Sequence, residues 1–268
     1  MNCLVGLADW RLPARGADAV RLAASVGADG VQLDFGGPGR GVEIDTPGRI
    51  DAVRAAAREH GVRLLALAGN QLNDVGLTRG PDVVRPLLTR LLDAGVALGV
   101  PLVFVPSFRR SAIDGPVAFA RTAGALRWAA AEAQARGLLL ANENVLAATP
   151  ARALAEAVGS PAFRLVLDTF NPVGAGLDPA VLAGSLAGLL ADQVHLKDGP
   201  PAVGTSPPLG AGDGRLDDTI DALRAHRVPV RAFVLENDYR DGDPTRLATD
   251  LDWARQRARQ STATWAGQ

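Results

Sequence analysis

The chain has very little of several residue types. It has one cysteine among 268 residues, so an intrachain disulfide is excluded. Lys197 is the only lysine, and arginine supplies the other basic charges. The formal net charge is -1 and no long block of one sign occurs, which argues against a surface that tracks nucleic acid phosphates. No apolar run reaches the roughly 20 residues of a membrane span.

The start of the chain also lacks a signal peptide pattern, because Asp9, Arg11 and Arg15 interrupt its apolar run. We therefore expect a cytoplasmic protein with no nucleic acid partner and no membrane association. The sequence leaves the formation of a homo-oligomer open.

Short apolar runs rich in branched residues alternate with longer runs rich in Ala, Leu and Arg. The pattern predicts strands at 3–8, 30–35, 62–68, 101–105, 138–142, 164–167, 193–196 and 230–235. It predicts helices at 17–26, 48–59, 82–98, 116–135, 149–158, 179–190, 216–225 and 244–259. The strand runs are apolar throughout instead of alternating, which is typical of parallel strands buried on both faces.

Eight strand–helix units account for the whole chain, since 268 residues divided by eight is about 33 residues each. This is the size and order of a single (β/α)8 TIM barrel of the α/β class. We predict one barrel domain over residues 1–260 and a disordered tail over 261–268. An open doubly wound sheet is the alternative, but the first strand–helix turn lacks a glycine-rich dinucleotide motif.

Four consecutive predicted strands end in groups that can bind a metal: Glu143, Asp168, His195 and Glu236. In a (β/α)8 barrel the active site forms at these carboxyl ends. Three carboxylates that converge without a cation would repel one another. One divalent ion removes that repulsion, and oxygen ligands with one imidazole favour Mn²⁺, with Mg²⁺, Co²⁺ or Zn²⁺ as alternatives.

Lys197 follows His195 by two residues, so an extended backbone would point both side chains toward the barrel mouth. The other histidines, His60 and His226, end helices just before the next strand and are interpreted as helix caps or surface residues. A compact ammonium at the mouth can act as a proton donor or stabilise negative charge. A structural ion pair is the alternative role for Lys197.

Other strand ends carry groups that suit a small polyol. Carboxylate, amide and hydroxyl groups there can bind substrate hydroxyls, and aromatic rings can exclude water. The candidates for substrate binding are Trp10, Asp34, Asn70, Ser107, Phe108 and Tyr239. Arg109 and Arg110 are interpreted as surface arginines, with an anionic substrate group as the alternative partner. The glycine-rich segment 210–214 lacks P-loop spacing and is a weak signal for phosphate.

Several motifs resemble the xylose isomerase-like barrel superfamily when taken in order. They are GADGVQL at 27–33, NEN at 142–144, LDT at 167–169, HLKD at 195–198, LGAGDG at 209–214 and LEN at 235–237. The resemblance covers essentially the whole chain. It implies one metal held by Glu143, Asp168, His195 and Glu236. In the ketose epimerases of this superfamily the two glutamates also act as acid and base.

The chain departs from those epimerases at three positions. Asn171 replaces a histidine, and we keep Asn171 as a candidate substrate contact. The epimerase arginine after the strand-seven histidine is absent, and Gln32 stands where many relatives have glutamate. The endonucleases of the superfamily use extra histidines that this chain lacks, which argues against DNA repair.

The resemblance favours a metal-dependent isomerase or epimerase that acts on a small sugar or ketose. Glu143 and Glu236 would exchange the proton of a cis-enediolate, and Lys197 would stabilise the developing charge. Two alternatives stay open. One is a dehydratase of an inosose or a dehydroshikimate-like polyol, and the other is a barrel that binds sugar without catalysis. The sequence does not decide whether the substrate is phosphorylated.

Overall fold

Eight parallel strands close into a barrel in the order β1 to β8, with β8 paired to β1. The computed structural model describes residues 3–200 and 206–265, with side chains to residue 260. The strands are β1 Leu4–Ala8, β2 Gly30–Asp34, β3 Arg63–Ala68, β4 Leu102–Pro106, β5 Leu139–Glu143, β6 Phe163–Asp168, β7 Leu190–Leu196 and β8 Ala232–Leu235. The predicted fold, a single (β/α)8 TIM barrel, is confirmed.

The helices surround the strands. They are α1 Ala17–Ser25, α2 Arg49–His60, α3 Leu72–Val75, α4 Pro81–Leu98, α5 Pro116–Ala135, α6 Ala148–Val158, α7 Asn171–Gly174, α8 Pro179–Ser185, α9 Leu216–Ala225 and α10 Pro244–Trp265. Proline at the first helical position begins α4 and α5, where its missing N–H costs nothing. None of the helices in the described ranges is long and apolar enough to cross a membrane.

The strands have two apolar faces, which explains their continuously apolar sequences. In β4, for example, Leu102 and Phe104 pack inside the barrel, whereas Val103 and Val105 pack against the helices. Many of the inward residues are alanines, and the two apolar clusters contain separate sets of residues. Side-chain direction therefore alternates along each strand and can be followed to its carboxyl end.

This alternation brings the predicted metal ligands to the barrel mouth. Glu143, Asp168 and Glu236 each stand two residues after an inward apolar residue: Ala141, Val166 and Val234, respectively. His195 follows Ala191 at the same period of two, and it pairs in register with Asp168. A one-residue slip of any of these strands would turn its ligand toward the helices.

The boundaries around residue 190 differ from the prediction. The predicted helix 179–190 ends at Ser185, a 3-10 turn follows, and β7 begins at Leu190, three residues earlier than predicted. A leucine-rich run fits a buried strand as well as a helix, so its period does not separate them. Helix α10 continues to Trp265, past residue 260, and residues 266–268 lie outside the described part. The predicted domain boundary and tail remain predictions.

Candidate active site

Four buried side chains converge where β5 to β8 end. Glu143, Asp168, His195 and Glu236 each offer one ligand atom, and these atoms all lie within 4.8 Å of one another. Their exposed fractions are 5% or less. Burying three carboxylates this close together is costly unless a cation compensates their charge.

In two of the carboxylates, one oxygen accepts hydrogen bonds from the protein and the second oxygen has no partner. Asp168 Oδ1 accepts the backbone N–H groups of Phe170 and Asn171 at 2.7 and 2.5 Å. Glu236 Oε1 accepts Trp10 Nε1 at 2.9 Å and two N–H groups of Arg11 at 3.2 and 3.3 Å. The opposite oxygens, Asp168 Oδ2 and Glu236 Oε2, are buried without hydrogen-bond partners. Unpaired buried acceptors of this kind suit a metal ion.

The imidazole of His195 also has one bonded atom and one unpaired atom. Two glutamines in series hold its Nε2, and its Nδ1 has no hydrogen-bond partner. Gln193 Nε2 donates to the backbone carbonyl of Leu65 at 2.8 Å, so Gln193 Oε1 must accept from Gln32 Nε2 at 2.9 Å. Gln32 Oε1 is then left to accept His195 Nε2 at 2.9 Å. The carbonyl thereby fixes the polarity of the whole chain, and His195 Nδ1 faces the carboxylates.

His195 Nδ1 lies 3.3 Å from Glu236 Oε2 and 3.8 Å from Glu143 Oε1, yet neither contact has hydrogen-bond geometry. Burial alone would lower the pKa of His195, but these two carboxylates raise it to about 10. Burial raises the pKa of Asp168 to about 7. It would raise the pKa of Glu236 too, but the charges of Lys197 and Arg11 hold it well below its usual range. The site is thus built around compensation of negative charge.

An amide bridge connects Glu143 to Lys197. Lys197 Nζ donates to Asn171 Oδ1 at 3.0 Å, and Asn171 Nδ2 donates to Glu143 Oε1 at 2.9 Å. The ammonium thereby determines which way the Asn171 amide points. All three side chains line one cavity, so the bridge is exposed to a bound molecule.

This cavity at the barrel mouth has a volume of about 410 Å³, enough for a small sugar. Six of its fifteen lining residues are basic, namely Arg11, Arg15, Arg40, Arg109, Arg240 and Lys197. Four of the predicted substrate contacts line this cavity, namely Trp10, Asn70, Phe108 and Asn171. Arg109, interpreted from sequence as a surface residue, is 56% exposed and also lines the cavity.

Three predicted substrate contacts are placed differently. Ser107 is buried, and its hydroxyl accepts Asn142 Nδ2 at 2.8 Å. Tyr239 is 1% exposed and donates to Asp250 Oδ2 at 2.7 Å, which ties the segment after β8 to α10. Asp34 is buried and does not line the cavity; Arg40 Nη1 is 3.9 Å from its Oδ2, and burial raises the pKa of Asp34. Ser107 and Tyr239 therefore serve the protein's own packing.

The glycine-rich segment 210–214 has its own anion. Asp198 Oδ1 accepts the N–H groups of Gly199 and Gly214, and Asp198 Oδ2 accepts those of Gly210 and Gly212, all at 2.8 to 3.0 Å. A Cβ at Gly212 would lie 2.5 Å from Asp198 Oδ1, so only glycine permits this approach. These amides are already satisfied and do not form a phosphate loop.

Sequence reasoning missed four basic residues of the cavity: Arg11, Arg15, Arg40 and Arg240. A signal was present, because Arg11 directly follows Trp10 at the end of β1 and Arg240 lies shortly after β8. Arginine is so common in this chain that no single one stood out. Their convergence depends on loop paths that strand periodicity does not predict.

The comparisons with known proteins agree with this geometry. A sequence profile described as "xylose isomerase-like TIM barrel" matches residues 20–257. The chain belongs to this family. The family resemblance seen in the sequence motifs is therefore confirmed.

One curated relative is highly similar. A 2-epi-5-epi-valiolone 7-phosphate 2-epimerase from Actinoplanes sp. (strain SE50/110) is 64% identical over 258 residues, which cover 96% of each chain. Two solved structures share the fold. L-ribulose 3-epimerase has a TM-score of 0.73 at 20% identity and covers 99% of this chain and 95% of its own. D-allulose 3-epimerase from Methylomonas sp., in complex with D-allulose, has a TM-score of 0.70 at 18% identity, over 97% and 96%.

Proposed function

We propose that this family member is a divalent-metal-dependent epimerase that inverts a carbon next to the ketone of a phosphorylated cyclic polyol. The observation that carries the proposal is the pattern of half-satisfied groups in the site. Asp168, Glu236 and His195 each have one atom held by the protein and another atom buried and unpaired. The unpaired atoms and Glu143 fit a single cation.

Metal would be held by Glu143, Asp168, His195 and Glu236, and when bound it would supply Lewis acidity next to the substrate carbonyl. The oxygen-rich donor set favours Mn²⁺, with Mg²⁺, Co²⁺ and Zn²⁺ as alternatives. His195 Nδ1 is available as a ligand because the Gln32 and Gln193 chain occupies Nε2.

Inversion requires that a proton leave one face of the substrate carbon and return to the other. Glu143 on β5 and Glu236 after β8 reach the cavity from strands that are three positions apart around the barrel. One glutamate removes the carbon-bound proton and the other returns a proton on the opposite face. Trp10 and Arg11 orient Glu236, while Asn171 orients Glu143.

Removal of that proton leaves an enediolate, whose negative charge needs a partner. Lys197 is suited to this role, because its ammonium lines the cavity and is held by a neutral amide instead of a carboxylate. It can therefore share its charge with the substrate oxygen without first breaking an ion pair. The name of the 64% identical relative supports a phosphorylated cyclic ketone as substrate.

The test is turnover of 2-epi-5-epi-valiolone 7-phosphate in deuterated water, followed by NMR, together with the metal content of the purified protein. We expect the 2-epimer, deuterium at the inverted carbon, and one equivalent of divalent metal. The variant His195→Ala with Glu236→Ala should lose both metal and turnover. The variant His60→Ala with Glu59→Ala, which changes exposed residues of α2, should keep both.

If the wild-type protein contains no metal and takes up none at millimolar concentration, the catalytic proposal is wrong. That result would favour a barrel that only binds sugar. A product that absorbs in the ultraviolet as an enone would favour the dehydratase instead. The cytoplasmic location remains a prediction, and the formation of a homo-oligomer stays open.

A further inference from the structure

A phosphorylated substrate needs an anion site in the cavity, and the described glycine amides after β7 do not supply one. In many (β/α)8 barrels the phosphate lies at the loops after strands seven and eight. Here the glycine amides after β7 already donate to Asp198. A phosphate there would have to displace a buried carboxylate that has four N–H donors. These amides are therefore not free to bind the phosphate.

Two guanidinium groups that line the cavity, from the loops after β2 and β4, contact the same carboxylate. Arg40, in the loop after β2, donates from Nε to Asp74 Oδ2 at 2.8 Å. Arg109, just after β4, lies with Nη2 2.9 Å from Asp74 Oδ1. One carboxylate thus holds two cations, and Arg40 Nη1 also lies 3.9 Å from Asp34 Oδ2. Both arginines line the cavity.

Two further features indicate that these groups serve a ligand. Arg109 has a φ of 50°, in the left-handed region that side chains other than glycine and asparagine rarely adopt. Strained backbone of this kind is concentrated at binding sites. Arg15 also lines the cavity, and its Nη1 is buried without a hydrogen-bond partner, 3.5 Å from Asp9 Oδ1. Arg15 thus adds a basic group to the cavity lining, with its Nη1 facing Asp9.

We infer that Arg40 and Arg109, clamped by Asp74, bind the phosphate of the substrate, with Arg15 as a further donor. This inference rests on the proposed function. Planar guanidinium groups bind phosphate by paired N–H donors. The arginines and the acid–base pair also come from different strands. The relative's name places phosphate on carbon 7 and inversion at carbon 2, and here the arginines follow β2 and β4 while the acid–base pair is on β5 and β8.

The experiment compares the phosphorylated ketone with its dephosphorylated form on holoenzyme. Arg109→Asn keeps a residue that tolerates the left-handed backbone, and Arg40→Gln is an independent second variant. Each should lower kcat/KM for the phosphorylated ketone by about 10- to 100-fold and change it less than about threefold for the dephosphorylated form. Arg58→Gln, an exposed arginine of α2, is the matched control and should change neither.

The inhibition constant of inorganic phosphate gives a second measurement, which should rise in both variants and stay constant in Arg58→Gln. Equal losses on both ketones, or no loss on either, would overturn the assignment. If the wild type turns over neither ketone, the proposed function fails on its own. Calorimetry with inorganic phosphate then decides the subsite, because binding that is unchanged in both variants would refute it.

Discussion

The two halves of the barrel mouth differ in the groups that they bring to the cavity, although Lys197 and Arg240 of the β5 to β8 half are also basic. The half built by β5 to β8 holds three buried carboxylates and the imidazole. The half built by β1 to β4 contributes Arg15, Arg40 and Arg109, together with the amides of Asn70 and Asn73. The first half provides groups that can hold a cation and move protons, and the second provides N–H donors for an anion and for hydroxyls. Under the proposed function, reaction and recognition are therefore separated around one closed sheet.

If the halves are separate, the largest loss of turnover should come from the acid–base pair. Glu143→Gln keeps the size of the side chain and removes the base, so we expect kcat to fall by roughly 10²- to 10⁴-fold. Steady-state kinetics with constant metal content would measure this. The exposed Glu156→Gln on α6 is the matched control. A loss that appears in KM instead of kcat would contradict the division.

In the half built by β1 to β4, the ionisation of Asp9 should make the stability of the protein depend on pH. Burial, reinforced by the charge of Asp34, raises the pKa of Asp9 from 3.8 to about 7. The folded protein therefore binds this proton more tightly than the unfolded chain does. The contribution of Asp9 to the free energy of unfolding should fall as the pH rises from about 4 to about 7, by at most about 4 kcal/mol, and then stay level.

Urea unfolding of wild type and Asp9→Asn across that pH range isolates this contribution. The variant should gain stability relative to wild type as the pH rises, because it cannot ionise. A difference between the two proteins that is constant with pH would show that Asp9 does not titrate in this range.

A smaller loss of turnover should follow removal of the single ammonium. Lys197→Met removes the charge and keeps an unbranched side chain, and we expect kcat to fall by about 10²- to 10³-fold with metal retained. Lys197→Arg should restore only part of the rate, since its planar group cannot replace a compact donor beside Asn171. A kcat within threefold of wild type for Lys197→Met would leave this residue a structural role only.

A connection that crosses between the two halves provides the most sensitive test of their separation. Gln32 belongs to β2, yet it holds His195 of β7 across the barrel interior. Gln32→Leu should weaken Mn²⁺ binding by about 10- to 100-fold, as is typical when the partner of a ligating histidine is removed. Gln193→Leu should have a weaker effect, because it acts through Gln32.

Calorimetric titration with Mn²⁺ measures both variants, and the exposed Gln134→Leu is the control. Unchanged affinity in Gln32→Leu would mean that the histidine keeps its orientation without the glutamine chain.

The parts that were predictable from sequence are those that repeat along the chain. Apolar runs and the alternation of side chains located the strands, and they placed Glu143 and His195 at the barrel mouth. Contacts between distant loops were not predictable. The bond from Trp10 to Glu236 joins residues 226 positions apart, and Asp74 joins arginines from two separate loops. Such contacts depend on loop geometry, and loops have no repeating sequence pattern from which their paths can be predicted.

The carboxylate of Asp198 affects the dynamics of the glycine-rich segment 210–214. Since the chain supplies its own anion to the amides of Gly210, Gly212 and Gly214, this part of the loop does not depend on a ligand to become ordered. Those amides should exchange slowly with solvent deuterium whether substrate is present or absent. Asp198 stands three residues after His195, so the same stretch of chain positions a candidate metal ligand and anchors the segment 210–214. Within the described residues, the segment 210–214 is therefore held in place by the protein itself.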